Sequence, residues 1–260
     1  MRILIRTSKW AIWARRFGAL ALPLAVLPLI LHRAHTITSQ NFFVIEAIAG
    51  GLAAIACLMA LVAFTRLWFT GDQGWWRATV ALIFGALVLA PSAFFVGLYL
   101  KQPNFSDVTT DFTNPPAQVS FVDQKFVTPD ERKRIEAAFP NARSRSYPIA
   151  APDLFDTVEG MVGDRGWEVR SERRPQAATD TGQINAIVTT LLGFRQEVSI
   201  RLAGSTDGTT IAMRSASLAD IPDLGENGQR IEAFLLDLDT VVTQMLRNAT
   251  PQTTDQPDNG

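Results

Sequence analysis

The chain has 260 residues, 47% of them apolar and 19% charged, with one Cys, two His and a net charge of −1. That balance excludes a disordered chain, a disulfide scaffold and a basic nucleic-acid binder. The average conceals a split: residues 1–101 hold nine Lys/Arg against two acids, a charge of +7, and residues 102–260 hold fifteen against twenty-three, a charge of −8. Two different physical objects join near Lys101.

Three stretches of the first part carry no charge: Phe17–Leu31 with 15 residues, Ala47–Phe64 with 18 and Ala78–Leu100 with 23. At about 1.5 Å per residue the third crosses a hydrocarbon core of roughly 30 Å with some tilt. The second spans once Phe42–Ile45 extends it. The first spans if Arg15, Arg16, His32 and Arg33 reach toward the two interfaces, and Pro23 and Pro28 should kink it. A cleaved leader is the alternative for the first stretch. The small-residue cleavage pattern is missing at Leu31–Ala34, so the stretch reads as a retained helix. Residues 1–14, with Trp10 and Trp13 among Arg and Lys, read as a short interfacial helix.

Basic residues set the expected orientation. They crowd the N-terminal flank and recur at Arg66 and Arg77, which puts the N-terminus and the second loop in the cytoplasm. The C-terminal part then lies beyond the bilayer, a periplasmic domain on a multi-pass protein of the cell (inner) membrane. Trp10, Trp13, Trp68, Trp75 and Trp76 all fall at the same expected boundary, where amphipathic rings prefer to sit. Glu46, the only acid within the expected spans, lies about four residues inside the outer boundary and reads as snorkelling or paired with an interfacial His rather than as part of a proton path. The pairs Ala47–Gly51, Gly50–Ala54 and Ala81–Gly85 suit close helix packing. Cys57 is a small apolar filler.

In the second part, Gln102–Phe126 contains Pro103 and Pro115-Pro116 and reads as extended, with a strand near Val119–Val122. Thr128-Pro129-Asp130-Glu131 starts a helix as a capping box with Pro at its first position, and the helix stops before Pro140. Pro152–Gly163 is the next helix, with Leu154, Val158, Met161 and Val162 on one face. Alternation predicts four strands over Trp167–Arg173, Thr181–Thr190, Gln196–Ala203 and Thr209–Ser217, with a tight hairpin at Asp207-Gly208. Asp223-Leu224-Gly225-Glu226 reads as a second capping box. It opens a final helix to about Leu246 whose stripe is Ile231, Phe234, Leu235, Leu238, Val242 and Met245.

The expected fold class is therefore an α-helical membrane anchor of three spans plus a two-layer α+β soluble domain with an antiparallel sheet of about four strands. The expected organisation is an anchor over 1–101, with helices near 17–33, 42–64 and 78–100. An extended linker and the first part of the soluble domain cover 102–127, an α+β domain 128–247 and a disordered tail 248–260.

Asp107-Val108-Thr109-Thr110-Asp111 with Asn114-Pro115-Pro116 forms one signature. Leu192-Gly193-Phe194 leading to Arg201 forms another. Arg214-Ser215-Ala216-Ser217, Asp223-Leu224-Gly225, Asn227 and Arg230-Ile231 form the third. In combination they make the soluble half, roughly Ser106 to Asp239, resemble the domain-of-unknown-function family 1499. The resemblance implies a fold, and some members similarly place this domain behind membrane helices. It implies no activity.

The soluble half has neither His nor Cys. A Ser-His-Asp or Cys-His nucleophile within it is excluded, and so is a His- or Cys-ligated zinc. Gly-rich phosphate loops are absent from the chain, and no cofactor is expected. The candidate ligand-binding residues are Arg201, Arg214, Ser215, Ser217, Asp223, Asn227 and Arg230. They read either as a structural polar network or as an anion site built from guanidinium forks and a helix N-terminus. The loop Leu191–Phe194 reads as a buried hairpin end or as a segment dipping into lipid. Asp107 and Asp111 read as turn formers, with a cation as the alternative. The expected partners are the lipid bilayer, then a lipid or small anion, an envelope protein or a homo-oligomer. The leading expectation is a non-enzymatic binding protein. A carboxylate- and Arg-based enzyme and a membrane scaffold or assembly factor are the alternatives.

Overall fold

The structure, a computed structural model, describes residues 7–101, 105–120, 127–219 and 223–249. The chain divides into two units, Met1–Gln102 with Thr189–Phe194, and Pro103–Val188 with Arg195–Gly260.

The first unit is a three-helix bundle of α1 (Lys9–Arg33), α2 (Ser39–Thr70) and α3 (Trp75–Lys101), each long and apolar enough to cross a membrane. α1 begins well before the charge-free stretch. Charge ends an apolar run but not a helix, because Lys, Arg and Ala are good helix formers. Residues 9–14 therefore form its first turns instead of a separate interfacial helix, while residues 1–6 lie outside the described residues. Thr38 caps α2, its hydroxyl accepting from the Asn41 amide at 3.3 Å, and Gly71 ends the helix in the left-handed region at φ 68°.

The helices meet through alanine. Ala11, Ala14, Ala60, Ala63, Ala78 and Ala81 form one buried cluster, and Ala21, Ala49, Ala53 and Val88 another. Small side chains let backbones approach and gain dispersion contact where lipid offers no hydrophobic driving force. Of the three expected small pairs only Ala81–Gly85 lies buried in this seam. Ala47 and Gly51 face outward. A Cβ on Gly85 would strike Cys57 Sγ and lie 3.0 Å from the Ala53 carbonyl oxygen. The outer surface is a belt of exposed Leu, Ile, Val and Phe, among them Leu27, Leu58, Leu87 and Phe94. The Ser8 amide donates to the Gln73 carbonyl at 3.0 Å, bringing the start of α1 to the α2–α3 turn. Trp10, Trp13, Trp68, Trp75 and Trp76 thus gather, all exposed, at one end of the bundle.

Thr189–Phe194 also belongs to this unit. His32 Nδ1 donates to the Leu192 carbonyl at 2.7 Å, Nε2 meets Ser39 Oγ at 3.0 Å, and Arg33 donates to the Leu191 carbonyl at 2.6 Å. The Phe194 ring stacks on Phe43 at 5.7 Å and tilts against His32 at 4.6 Å. Gly193, at φ 87°, is where the loop closes on α1; a Cβ there would lie 2.8 Å from the Arg33 Cα. The loop is thus buried in part, at Gly193, with Leu192 and Phe194 half-buried and Leu191 exposed. Phe194 is held by aromatic partners.

The second unit is a six-stranded antiparallel sheet with helices, so two strands join the four expected. β1 (Asp107–Thr109) and β2 (Arg145–Tyr147) are three-residue strands, both pairing with β6 (Gly208–Ser217). The order continues through β5 (Arg195–Ser205) and β4 (Thr181–Thr189) to β3 (Glu168–Arg173) at the far edge. Val119 and Ser120 form no strand, and residues 121–122 lie outside the described residues. α4 (Pro129–Ala138), α5 (Ala151–Asp164) and α6 (Glu226–Ala249) complete the unit. Thr128 caps α4 as expected, accepting from the Glu131 amide at 3.3 Å. α6 continues through Ala249, and the rest of the expected tail lies outside the described residues.

β5 and β6 alternate along their length. Val198, Ile200 and Leu202 of β5 with Ile211 and Met213 of β6 pack against Leu154, Phe155 and Val158 of α5 and Ile231, Phe234 and Leu235 of α6. Trp167 stacks on Phe234 at 5.5 Å. Met245, expected in the α6 stripe, is exposed. The intervening residues, Glu197, Ser199 and Arg201 of β5 with Thr210, Ala212 and Arg214 of β6, occupy the opposite face of the sheet.

Candidate functional site

The seven expected site residues do not form one cluster. Adjacent strand residues point to opposite faces, so Arg214 and Ser215 part, and the sheet lies between two polar groups.

The first group sits where α6 begins. Asp223 Oδ2 accepts from the Asn227 amide at 2.7 Å and Oδ1 from the Gly225 amide at 3.0 Å. The intervening backbone bends through Leu224 at φ 55° and Gly225 at φ 84°. Asp223 thus caps α6 through the amides of Gly225 and Asn227 and not, as a capping box would, through that of Glu226, which donates to the Asp223 carbonyl at 3.0 Å. The Glu226 side chain turns toward Gln196, 3.5 Å away, and Arg230. Ser215 donates to Asn227 Oδ1 at 2.7 Å, and Arg230 Nη1 donates to both, at 3.1 and 3.2 Å. Asn227 Nδ2 reaches the Ser106 carbonyl and Ser217 Oγ, each at 3.3 Å. Ser215 and Asn227 are wholly buried. Burial pushes the Asp223 carboxyl above its ordinary range, against the amides that favour its charge. Burial likewise raises Glu226, opposed by the Arg230 charge. It lowers Arg230, opposed by Glu226 and Asp223.

The second group lies on the other face. Asp107 in β1 takes Arg214 in a fork, with Nε at 3.0 Å from Oδ1 and Nη2 at 2.5 Å from Oδ2. The Arg214 side chain is only 4% exposed. Beside it Asn185 donates to Ser199 Oγ at 2.8 Å and to Glu197 Oε1 at 3.1 Å. Glu197 is buried, and its carboxylate accepts from the amides of Val119 and Ser120 at 2.6 and 2.9 Å. The Ala117 carbonyl accepts from Asn185 and Gln183 at 2.8 and 2.7 Å. The segment 110–120 therefore lies over this polar face as a strap.

Asp111 opens the strap. Its Oδ1 accepts from the amides of Thr113 and Asn114 at 3.0 and 2.9 Å, and its Oδ2 accepts from Arg201 at 2.7 Å. Both aspartates are thus turned onto arginines of the sheet. Among the described residues no group of three or more His, Cys, Asp or Glu forms a metal cluster.

Next to Arg201 the strap ends and a cavity of about 580 Å³ opens. Its floor is Ala203 and Ala212 of the sheet, with Ile135 of α4 and, after that helix, Phe139 and Ala142. Its rim carries three guanidinium groups, those of Arg132, Arg143 and Arg201, and two carboxylates, Asp111 and Glu136. Arg132 bonds Glu136 at 2.9 Å and lies over the Phe112 ring at 4.9 Å. The Arg143 side chain is exposed and has no carboxylate within ion-pair distance among the described residues. Of the expected site residues only Arg201 lines this cavity. Arg143, Arg132 and Ser144 carry no periodic or motif signal, so sequence reasoning missed them.

An antiparallel α+β domain following three helices long and apolar enough to cross a membrane places the chain in a class of membrane-associated proteins. The chain belongs to the family described as protein of unknown function (DUF1499), whose model matches residues 107–238, just over half of the chain. Comparison with curated proteins and with solved structures finds no match.

Proposed function

We propose that this is a membrane-anchored binding protein whose soluble unit takes a small ligand in the groove beside Arg201. One observation carries the reading. The cavity of about 580 Å³ falls in the usual size range of ligand sites and combines apolar floor with a few polar rim groups, as such sites do. The carboxylates available for acid–base work there, Asp111 and Glu136, are both engaged by arginines, which favours binding over the hydrolytic alternative. The cluster of Ser215, Asn227 and Arg230 is better read as structural, since its donors already meet internal acceptors.

For placement, the gathering of five Trp and of Arg15, Arg16, Arg66 and Arg77 toward one end of the bundle supports a cytoplasmic N-terminus in the cell membrane. Three crossings then carry the soluble unit to the extracytoplasmic, periplasmic side. Reporter fusions after Leu246 test this: an enzyme active only outside the cytosol should be active, and activity of a cytosol-only reporter instead would invert the scheme. Native mass spectrometry of the detergent-purified chain tests the binding reading. A bound mass lost in Thr210→Trp, which fills the groove from an exposed strand position, supports it; a mass unaffected by that substitution opposes it.

A further inference from the structure

We propose that the groove selects an organic monoanion, one negatively charged oxygen group carried on apolar carbon, and that Arg143 receives the charge. This deepens the groove reading above and rests on it.

The rim carries three positive and two negative side chains, and the pairing is specific. Arg201 is held by Asp111 at 2.7 Å and Arg132 by Glu136 at 2.9 Å. Arg143 is left with its charge uncompensated, facing a concavity. The soluble half carries −8 overall, so its general field repels anions. A lone positive charge in a groove is therefore a point of selection and not part of a broad basic patch. One net charge on the rim matches one charge on the ligand.

Two hydroxyl residues, Ser144 and Thr110, line the same cavity as Arg143. Ser144 donates to the Thr110 carbonyl at 3.2 Å, with Thr110 Oγ1 also 3.2 Å away. Thr110 Oγ1 in turn accepts from the Met213 amide at 2.9 Å; with Ser144's proton on the Thr110 carbonyl, the Thr110 proton lies on Ser144 Oγ, and a rotation of the hydroxyl turns it to a ligand oxyanion. A guanidinium fork and a neighbouring hydroxyl donor match an oxyanion. The floor of Ala203, Ala212, Ile135 and Phe139 favours carbon behind that oxyanion over a bare hydrated ion. The same chemistry is offered by a phosphodiester lipid headgroup and by a free organic acid.

The test uses the full chain in neutral maltoside micelles. Titration calorimetry with benzoate, benzyl alcohol and benzylammonium separates charge from shape, because the three share one ring. Benzoate should bind about tenfold tighter than benzyl alcohol, the difference one charge-assisted hydrogen-bond pair supplies. Arg143→Gln should abolish that difference, Arg143→Lys should keep most of it, and Thr210→Trp should weaken both ligands. Arg143 is exposed, so its variants should fold as wild type. A short-chain phosphatidylglycerol that loses affinity in Arg143→Gln identifies lipid as a source of the anion. Benzoate binding without lipid binding identifies a free acid, and either result supports the assignment. Equal binding of benzoate and benzyl alcohol, or tighter benzylammonium, overturns the charge assignment and leaves the groove reading standing. Binding insensitive to Thr210→Trp, or none by any ring ligand or the lipid, overturns the groove reading and this inference with it.

Discussion

Asp107→Asn should loosen the sheet from its β1 edge. Arg214 lies under the strap with its side chain 4% exposed, and Asp107, 16% exposed, supplies both oxygens of the fork. Removing one partner of a buried pair leaves the other charge uncompensated, which costs about 3–5 kcal/mol. Asparagine keeps one acceptor, and the pair is open to water on the Asp107 side, so about 2–3 kcal/mol is the expected loss. At a factor of ten per 1.4 kcal/mol, amides of Met213–Ser217 should exchange with solvent roughly 30- to 100-fold faster. Hydrogen exchange with mass spectrometry on the detergent-solubilised chain measures this directly. The double variant Asp107→Leu/Arg214→Met should recover to within about 1 kcal/mol of wild type, because it removes the isolated charge together with the pair. If Asp107→Asn alone exchanges within about 0.5 kcal/mol of wild type, Arg214 has access to water and the burial argument fails.

Asp223 is raised by burial above its ordinary 3.8. The folded state therefore binds its proton more tightly than the unfolded one, and that contribution is fullest below pH 3.8 and lost as pH rises through the folded value. Wild type should gain stability relative to Asp223→Asn as pH falls from 7 toward 4, read from urea midpoints of α6 exchange; a change of the opposite sign dismisses the assignment. Asp111→Asn keeps an acceptor for the turn but removes the charge facing Arg201, 2.7 Å away, so the rim gains a second free guanidinium. Benzoate affinity should rise severalfold in calorimetry, and an unchanged or weaker affinity would place Arg201 outside the ligand's reach. Gly193→Ala meets both a left-handed φ of 87° and the Arg33 backbone at 2.8 Å, costing more than about 1 kcal/mol. Chymotrypsin should then cut after Leu192 and Phe194 faster than in wild type, and equal cutting rates would show that the loop does not depend on this approach.

What the sequence discloses depends on the range over which its signals repeat. Three charge-free runs are enough to find the three apolar helices. Caps at Thr128 and Asp223, and alternation from Trp167 to Ser217, locate the second unit's main elements within a few residues. The β1 and β2 strands escape because three residues cannot carry a period; their hydrogen bonds are set by β6 alone. Strand pairing and helix spacing bring Arg201 to Arg214 and Asp223 to Asn227 and Arg230, yet alternation already assigns Arg214 and Ser215 to opposite faces of the sheet, so the seven cannot share one site. Glu197 and Ser199 look like the wet side of a strand, and only the strap buries them. The one trace of that strap is Pro115-Pro116, an extended pair of which Pro116 is buried. Arg143 becomes noticeable only once the cavity places it beside two arginines that already have partners.

The two faces of this sheet solve the same problem by different means, and the difference locates the groove. On one face α5 and α6 fill the space with side chains, and the helices' backbone groups bond within themselves. On the other an extended strap does the covering. Its amides and carbonyls have no helical partners, so the strands beneath must supply polar ones. Glu197, Asn185 and Gln183 do so, and a carboxylate held by two amides and a side-chain amide can be buried without an opposing cation. Such cover lasts only as long as the strap, whose direction turns at Asp111 where Thr113 and Asn114 bond back to it. Past that turn the sheet carries Ala203 and Ala212 beside Arg201 and Thr210. Small apolar residues leave depth, and neither helix nor strap occupies it among the described residues. The uncovered part of the face is thus the groove proposed above to take the ligand.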